Sequence, residues 1–321
     1  MIARGRAAGL ALGWLADRLL GDPRRGHPVA GFGRAATALE RRTYADSRGA
    51  GLGHTALLLA ALAALGVSAE RAAARRGPVA TAVVTAAATY VVLGGTSLAR
   101  TGARMAALLE SDDITGARAL LPSLCGRDPA ALDEAGLTRA ALESVAENTS
   151  DAQVAPMWWG LVGGVPGLLV YRGANTLDAM IGHRSPRYER FGWAAARFDD
   201  AVNYVPARLT GVLVAACAPA VGGRPAAALN AWRSDAAKHP SPNAGVAEAA
   251  FAGALGIRLG GRTQYAHRTE IRPTLGTGPE PEIEDLARSV RLTGAVQTAT
   301  ATLAVLVSGA CRSGRRAVPP R

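Results

Sequence analysis

Glu143, Glu147 and Asp151 stand four residues apart. On an α-helix each such step turns the side chain by only about 40°, so the three carboxylates line nearly one face. Like charges at this spacing weaken a helix. A hard cation such as Mg²⁺, which prefers carboxylate oxygens, would relieve the repulsion; a solvated acidic face is the plainer alternative. Three further clusters follow. Arg172, Asn175 and Asp178 step by three, offering a fork donor, an amide and a carboxylate on one face. Asp199 and Asp200 with Asn203 suit either Mg²⁺-phosphate binding or capping and buried hydrogen bonding. Lys238 and His239 precede the turn Pro240-Ser241-Pro242-Asn243, where they either grip a phosphate and polarise a carbonyl or simply end a helix. These groups crowd against apolar runs, notably 154–171, which carries no charge. Polar groups held against membrane-grade sequence are costly, and the pattern points to an active site at a membrane face.

The elements that must position them are helices. The chain has 321 residues, 49% of them hydrophobic and only 5% aromatic. Its mean hydropathy of +0.12 suits a membrane protein with sizeable polar loops. Candidate membrane segments lie near 7–20, 52–69, 79–97, 154–171, 205–222 and 292–310, each near or somewhat short of the roughly 20 residues a bilayer requires. The run 154–171 is broken by Gly163, Gly164 and Pro166, which predicts a broken or re-entrant element. Between the spans, the pattern predicts helices over 103–110 and 114–121, and one opened by Asp128-Pro129 and running to Asn148. Further helices are predicted over 225–238 and 244–255, with 257–285 as loop. The fold expected is all-α: a polytopic helical bundle forming one membrane-embedded domain over 1–312, with a disordered basic tail over 313–321.

The charge balance is 36 basic against 25 acidic residues, a net +11. Positive loops beside anionic lipid account for it. No nucleic-acid-binding module or aromatic platform is present, so no nucleic-acid partner is expected. Lys238 is the one lysine, where a compact ammonium replaces the usual planar fork. Cys125, Cys217 and Cys311 have neither zinc spacing nor a disulfide pattern. No G-x-x-x-x-G-K-[ST] loop, G-x-S-x-G elbow, H-E-x-x-H pair or G-x-G-x-x-G fingerprint occurs.

The longer motifs are Leu20-Gly21-Asp22-Pro23 with His27-Pro28-Val29, Leu93 to Leu98, Glu143 to Asp151 followed by Ala155-Pro156, and Tyr171 to Asp178. Phe191-Gly192-Trp193, Asp199 to Arg208 and Lys238 to Gly245 complete the set. In this order, over nearly the whole chain, they resemble the CobD/CbiB family of cobalamin biosynthesis. The resemblance implies an adenosylcobinamide-phosphate synthase, a multi-pass enzyme of the inner cell membrane. Such an enzyme uses ATP and Mg²⁺ to join adenosylcobyric acid, as an amide, to (R)-1-amino-2-propanol or its O-phosphate. On this reading Glu143, Glu147, Asp151, Asp199 and Asp200 hold the metal, while Arg172, Arg208, Asn148 and Ser150 contact nucleotide phosphates. Asp178, Lys238 and His239 are catalytic, and Asn175, Asn203, Asn243 and His27 orient substrate. Partners would be the lipid bilayer and other enzymes of the corrinoid pathway. The family usually has Gly after Asp151, where Ala152-Gln153 stands here, and the insert Arg24-Arg25-Gly26 is loosely matched. A transporter with a midplane site in 154–171 and a non-catalytic membrane scaffold are the alternatives; the absence of an inverted repeat counts against the transporter.

Overall fold

The structure is a computed structural model that describes residues 2–23, 26–183, 185–265 and 268–313. The helices are α1 (Ile2–Leu20), α2 (Pro28–Thr43), α3 (Arg48–Arg76), α4 (Pro78–Val92), α5 (Gly95–Glu110) and α6 (Ile114–Leu120). They continue as α7 (Glu134–Thr149), α8 (Ala155–Leu177), α9 (Trp193–Cys217), α10 (Pro225–Asp235), α11 (Ala244–Leu255) and α12 (Ile283–Ser313). Among the described residues the regular structure is helical apart from one antiparallel hairpin, β1 (Leu259–Tyr265) with β2 (Arg268–Leu275).

Among the described residues, five helical stretches are long and apolar enough to cross a membrane: Arg48–Arg76, Pro78–Glu110, Glu134–Gly182, Trp193–Val221 and Ile283–Val307. They contain most of the expected segments. The segment 7–20 forms most of α1, but Asp17 and Arg18 interrupt its apolar run and it is not among the five. The last helix extends to Ser313, one residue into the expected tail, and 314–321 lie outside the described residues, as do Arg24 and Arg25.

The chain divides into two compact units, one of residues 1–94, 155–203 and 300–321, the other of 95–154 and 204–299. In the first, α1 lies on α4 with almost no gap. Gly5, Gly9 and Gly13 face Thr81, Thr85 and Thr89, and a Cβ placed on Gly9 would stand 2.5 Å from the Thr85 Cβ. Small residues at this spacing let two backbones approach, which is how helices associate where lipid removes the hydrophobic drive. Also in this unit, α8 packs on α3. The break expected in 154–171 is a kink: Gly164 takes φ 63, ψ −147 inside α8, with Pro166 two residues on, and the chain is helical on both sides. Glycine alone adopts that backbone readily.

The second unit is built around a core of Leu137, Leu142, Val145, Phe251, Leu286 and their neighbours. Its α11 is apolar apart from Glu248 and is buried along nearly its whole length. Three helix starts follow capping chemistry. Asp113 accepts the Gly116 amide at 2.8 Å and opens α6 as expected. Asp128, however, caps only a 3₁₀ turn, Pro129–Ala131, and α7 starts later, where Asp133 accepts the Gly136 amide at 2.8 Å. After Thr149 the helix widens into a π turn, Ser150–Val154. The predicted helix over 225–238 ends as α10 at Asp235 and tightens into a 3₁₀ turn, Ala236–Lys238. The hairpin replaces the loop expected over 257–285. With only two strands each has an open edge, so Pro273 costs β2 little.

Candidate functional site

The expected site residues fall into two groups, one in each unit. In the first unit, Arg172 donates from Nε to the Val92 carbonyl at 2.7 Å and from Nη2 to the same oxygen, closing the C-terminus of α4. Its Nη1 reaches Asn175 Oδ1 at 3.3 Å. The guanidinium thus neutralises the negative end of a helix while lining an open cavity of about 400 Å³ with Asp22, His27 and Thr176. His27 caps α2: its Nδ1 accepts the Val29 amide at 3.2 Å, and its Nε2 lies 3.6 Å from Asp22 Oδ1. Asp178 begins a second π turn, Asp178–Gly182, immediately after α8, so the step-by-three face of Arg172, Asn175 and Asp178 ends at a change of helical pitch.

Asn203 is buried in a chain of hydrogen bonds. Its Oδ1 accepts the Tyr171 hydroxyl at 3.0 Å, and its Nδ2 donates to Asp199 Oδ2 at 2.9 Å. Asp200 lies 3.7 Å from Arg197. Neighbouring residues on a helix do not face each other, so Asp199 and Asp200 point apart.

In the second unit α7, α11, the hairpin and the segment before α7 bring a larger set together. Glu143, 2% exposed, is held by Arg127 through Oε2 and by the Gly260 amide at 2.7 Å through Oε1. Glu147 is exposed and lines a cavity of about 200 Å³ with Glu143, Arg127, Arg272, Ser144 and Cys125. Beside Arg272 lies Glu248, 1% exposed, its Oε1 3.9 Å from Arg272 Nη1 and 3.5 Å from His239 Nε2. His239 Nδ1 accepts the Ser241 amide at 3.0 Å, which leaves Nε2 as the nitrogen facing Glu248. Both ring nitrogens are therefore turned toward the protein. Lys238 is 55% exposed along its side chain and donates to Asp235 at 2.6 Å, and Asp235 also accepts the Gly276 amide at 2.8 Å.

Arg208 donates to Asn243 Oδ1 at 2.8 Å and lies over the Tyr204 ring, 3.7 Å from its centre. Asn148 bonds back to the Ser144 carbonyl at 2.9 Å. Ser150 is buried, its hydroxyl without a hydrogen-bond partner among the described residues. Asp151 is half-buried in the π turn.

Among the described residues no group of three or more His, Cys, Asp or Glu side chains is placed to hold a metal ion. The stripe Glu143, Glu147 and Asp151 does not fit a three-carboxylate magnesium site, because Arg127 and Gly260 already occupy Glu143. Sequence reasoning missed Arg127, Arg272 and Glu248. Only Glu248 carried a local signal, as the sole charge in a twelve-residue apolar helix.

Burial pushes the Glu248 carboxyl well above the ordinary carboxylate range, and the neighbouring Glu143 and Glu147 charges push it the same way. Burial, despite the Ser241 amide, holds the His239 imidazole below its usual value. Burial alone would raise Asp235, but its hydrogen bonds to Lys238, Gly276 and Ser234 more than offset this and hold it low. A carboxyl raised in the fold keeps a proton that the unfolded chain loses. Its contribution therefore makes stability fall as pH rises from 4.5, the ordinary value for Glu, toward its folded value. Glu248→Gln should flatten that decline, so the melting temperatures of the two proteins should coincide at pH 4.5 and the variant's should exceed the parent's at pH 8. Parallel melting curves across this window would show that Glu248 does not hold the proton.

Comparison with known proteins places these motifs in a lineage. A family model described as "CobD/Cbib protein" matches residues 10–293. The curated "Cobalamin biosynthesis protein CobD" of Mycobacterium tuberculosis is 61% identical over 302 residues, covering 94% of this chain and 96% of that protein. Proteins of the same name from Chromobacterium violaceum and Rhodobacter capsulatus are each 44% identical. They cover 88% of this chain in both cases, and 90% and 88% of their own lengths. No solved structure matches the chain significantly. The match over most of its length, and the full-length relatives, show that the chain belongs to the CobD/CbiB family.

Proposed function

We propose that this protein acts in cobalamin biosynthesis as a multi-pass enzyme of the inner cell membrane. Its reaction would be the ATP-dependent amide ligation of adenosylcobyric acid to (R)-1-amino-2-propanol or its O-phosphate. The observation that carries the reading is the 61% identity, over nearly the full length of both chains, to a protein named for cobalamin biosynthesis. The five long apolar helices support the membrane setting. The cavity beside α7, which mixes carboxylates with guanidinium groups, supports polar chemistry on charged substrates.

A carboxylate is a poor acyl donor. In the proposed sequence a propionate oxygen of the corrinoid takes the terminal phosphoryl group of ATP, releasing ADP. The amine nitrogen then forms the C–N bond, inorganic phosphate leaves with the C–O bond, and the ammonium gives up its protons. Cationic side chains stabilise the charge on the transferred oxygens. Within the second unit Arg208 and Lys238 are candidates for that role and Glu147 a candidate to take a proton; within the first, taken by itself, Arg172 is the candidate cation and Asp178 the candidate base. Magnesium would arrive as the counter-ion of the nucleotide. His239, enclosed by Ser241 and Glu248, would act on the geometry around it rather than on substrate.

The test is reconstitution of the purified protein in lipid nanodiscs with adenosylcobyric acid, ATP, Mg²⁺ and either amine. A corrinoid heavier by the mass of the amine less one water, formed only with ATP and without other proteins, is the expected result. A membrane carrier would instead move substrate across vesicles without making product, and a scaffold would form product only when other pathway enzymes are added. Either outcome would overturn the proposal.

A further inference from the structure

Within the second unit, Glu248 Oε1 and His239 Nε2 stand 3.5 Å apart, both buried and neither with a hydrogen-bond partner among the described residues. Their side chains are 1% and 3% exposed. Arg272 stands slightly further off, its Nη1 3.9 Å from the same Glu248 oxygen. Burying a carboxyl in the otherwise apolar α11 is costly, and an apolar side chain would fill the space without that penalty. What the carboxyl supplies is an oxygen in front of Nε2.

His239 begins a short series of contacts that ends at Arg208. Its Nδ1 takes the Ser241 amide at 3.0 Å, with the Ser241 carbonyl oxygen 3.2 Å away. With Nδ1 accepting, the hydrogen of the neutral ring sits on Nε2 and faces Glu248. The Ser241 hydroxyl oxygen accepts the Asn243 and Ala244 amides at 3.3 and 3.2 Å, at the start of α11. Asn243, the N-cap residue, makes no capping bond with its side chain. Its Oδ1 instead accepts Arg208 Nη1 at 2.8 Å, and the guanidinium lies over the Tyr204 ring. The turn has little slack. Pro240 and Pro242 fix their own φ angles. A Cβ on Gly245 would stand 2.5 Å from the His239 Cβ, so His239 lies directly on the first turn of α11.

We propose that Glu248 is a positioning residue: it holds the His239 ring, and through the 239–243 turn it aims the Arg208 guanidinium. Charged or protonated, its carboxyl presents an oxygen lone pair to Nε2–H, so the role lies in the acceptor rather than in the charge. The proposal rests on the amide-forming reading given above, in which Arg208 stabilises charge on a transferred phosphoryl group. A guanidinium displaced by about an ångström meets that charge poorly, although nothing next to the chemistry has changed.

Two experiments on the intact protein in nanodiscs test it. The first follows amide formation in a double-mutant cycle. Glu248→Leu should lower kcat about tenfold while Arg208 is present. In the Arg208→Gln background, where no guanidinium is left to aim, the same change should have little effect. Glu248→Gln keeps the acceptor and should retain most of the activity. A plain folding defect would lower both backgrounds alike. The second reads the His239 ring nitrogens by ¹⁵N NMR of histidine-labelled protein, with His239→Asn identifying the signals. The expected ring is the neutral Nε2–H form, its Nε2 resonance displaced by Glu248→Leu and restored by Glu248→Gln.

Equal losses in the two Arg208 backgrounds, an Nδ1–H ring, or a ring signal indifferent to Glu248→Leu would overturn the proposal. The two readings fail separately. Amide formation with equal losses would sink the positioning role and keep the ligase. A parent protein that makes no amide, with a ring signal that answers to Glu248, would sink the ligase and keep the hold on His239.

Discussion

Arg127→Met is expected to destabilise the second unit by about 3–5 kcal/mol, the usual cost of removing one partner from a buried ion pair. Glu143 is 2% exposed and Arg127 8% exposed, so the carboxylate would lose its charged partner where bulk solvent hardly reaches. The Gly260 amide would remain on one carboxylate oxygen, leaving the other charged and alone. Because the penalty comes from the stranded charge, removing that charge should remove most of the penalty. The double variant Arg127→Met, Glu143→Gln is therefore expected to recover more than half of the lost stability. Thermal unfolding in detergent, followed by tryptophan fluorescence, measures all three proteins. Equal losses in the single and double variants would mean that the pair contributes through packing alone.

The second large effect concerns α1 and α4. Gly9→Leu places a branched side chain where even a Cβ would lie 2.5 Å from the Thr85 Cβ and 2.7 Å from the Ala82 carbonyl oxygen. Both neighbours belong to a helix and neither can swing aside. The two helices must separate, at a cost of at least about 1–3 kcal/mol from overpacking. The threonine stripe then loses the close contact that drives association in lipid. Ala8 is exposed, one residue along the same helix, so Ala8→Leu is the matched control and should be nearly neutral. Protease sensitivity of the Gly77 turn, compared in the two variants, reads out the separation; similar digestion of both would show that α1 tolerates displacement.

What could be read from the sequence depended on range. Segments dominated by near neighbours were legible. Gly164 and Pro166 announce the kink in α8, Asp113 announces α6, and α11 runs from Ala244 to Leu255 as its composition dictates. The α7 start was misplaced because Asp128-Pro129 and Asp133 are both competent caps five residues apart, and local rules do not choose between them. The hairpin was read as loop because Gly260, Gly261, Pro273 and Gly276 punctuate it. Gly260 and Gly261 in fact hold positive φ at an irregular strand pairing, and Gly276 does so directly after β2.

In the candidate site, the acidic stripe was visible but its partners were not. Arg127 is 16 residues from Glu143 in the chain, and Gly260 is 117. Spacing along one helix cannot reveal a counter-charge supplied by another element. Glycines four apart in α1 carried a signal for close helix packing, but its meaning depends on the threonines of α4, some 76 residues later.

The measurement that bears most directly on the proposed chemistry follows oxygen from the carboxylate. Adenosylcobyric acid labelled with ¹⁸O in its free propionate is turned over by the purified protein with ATP and the amine, and the released inorganic phosphate is analysed by mass. Activation by phosphoryl transfer predicts one ¹⁸O atom in the phosphate for each amide formed. Amide formation accompanied by unlabelled phosphate would contradict it.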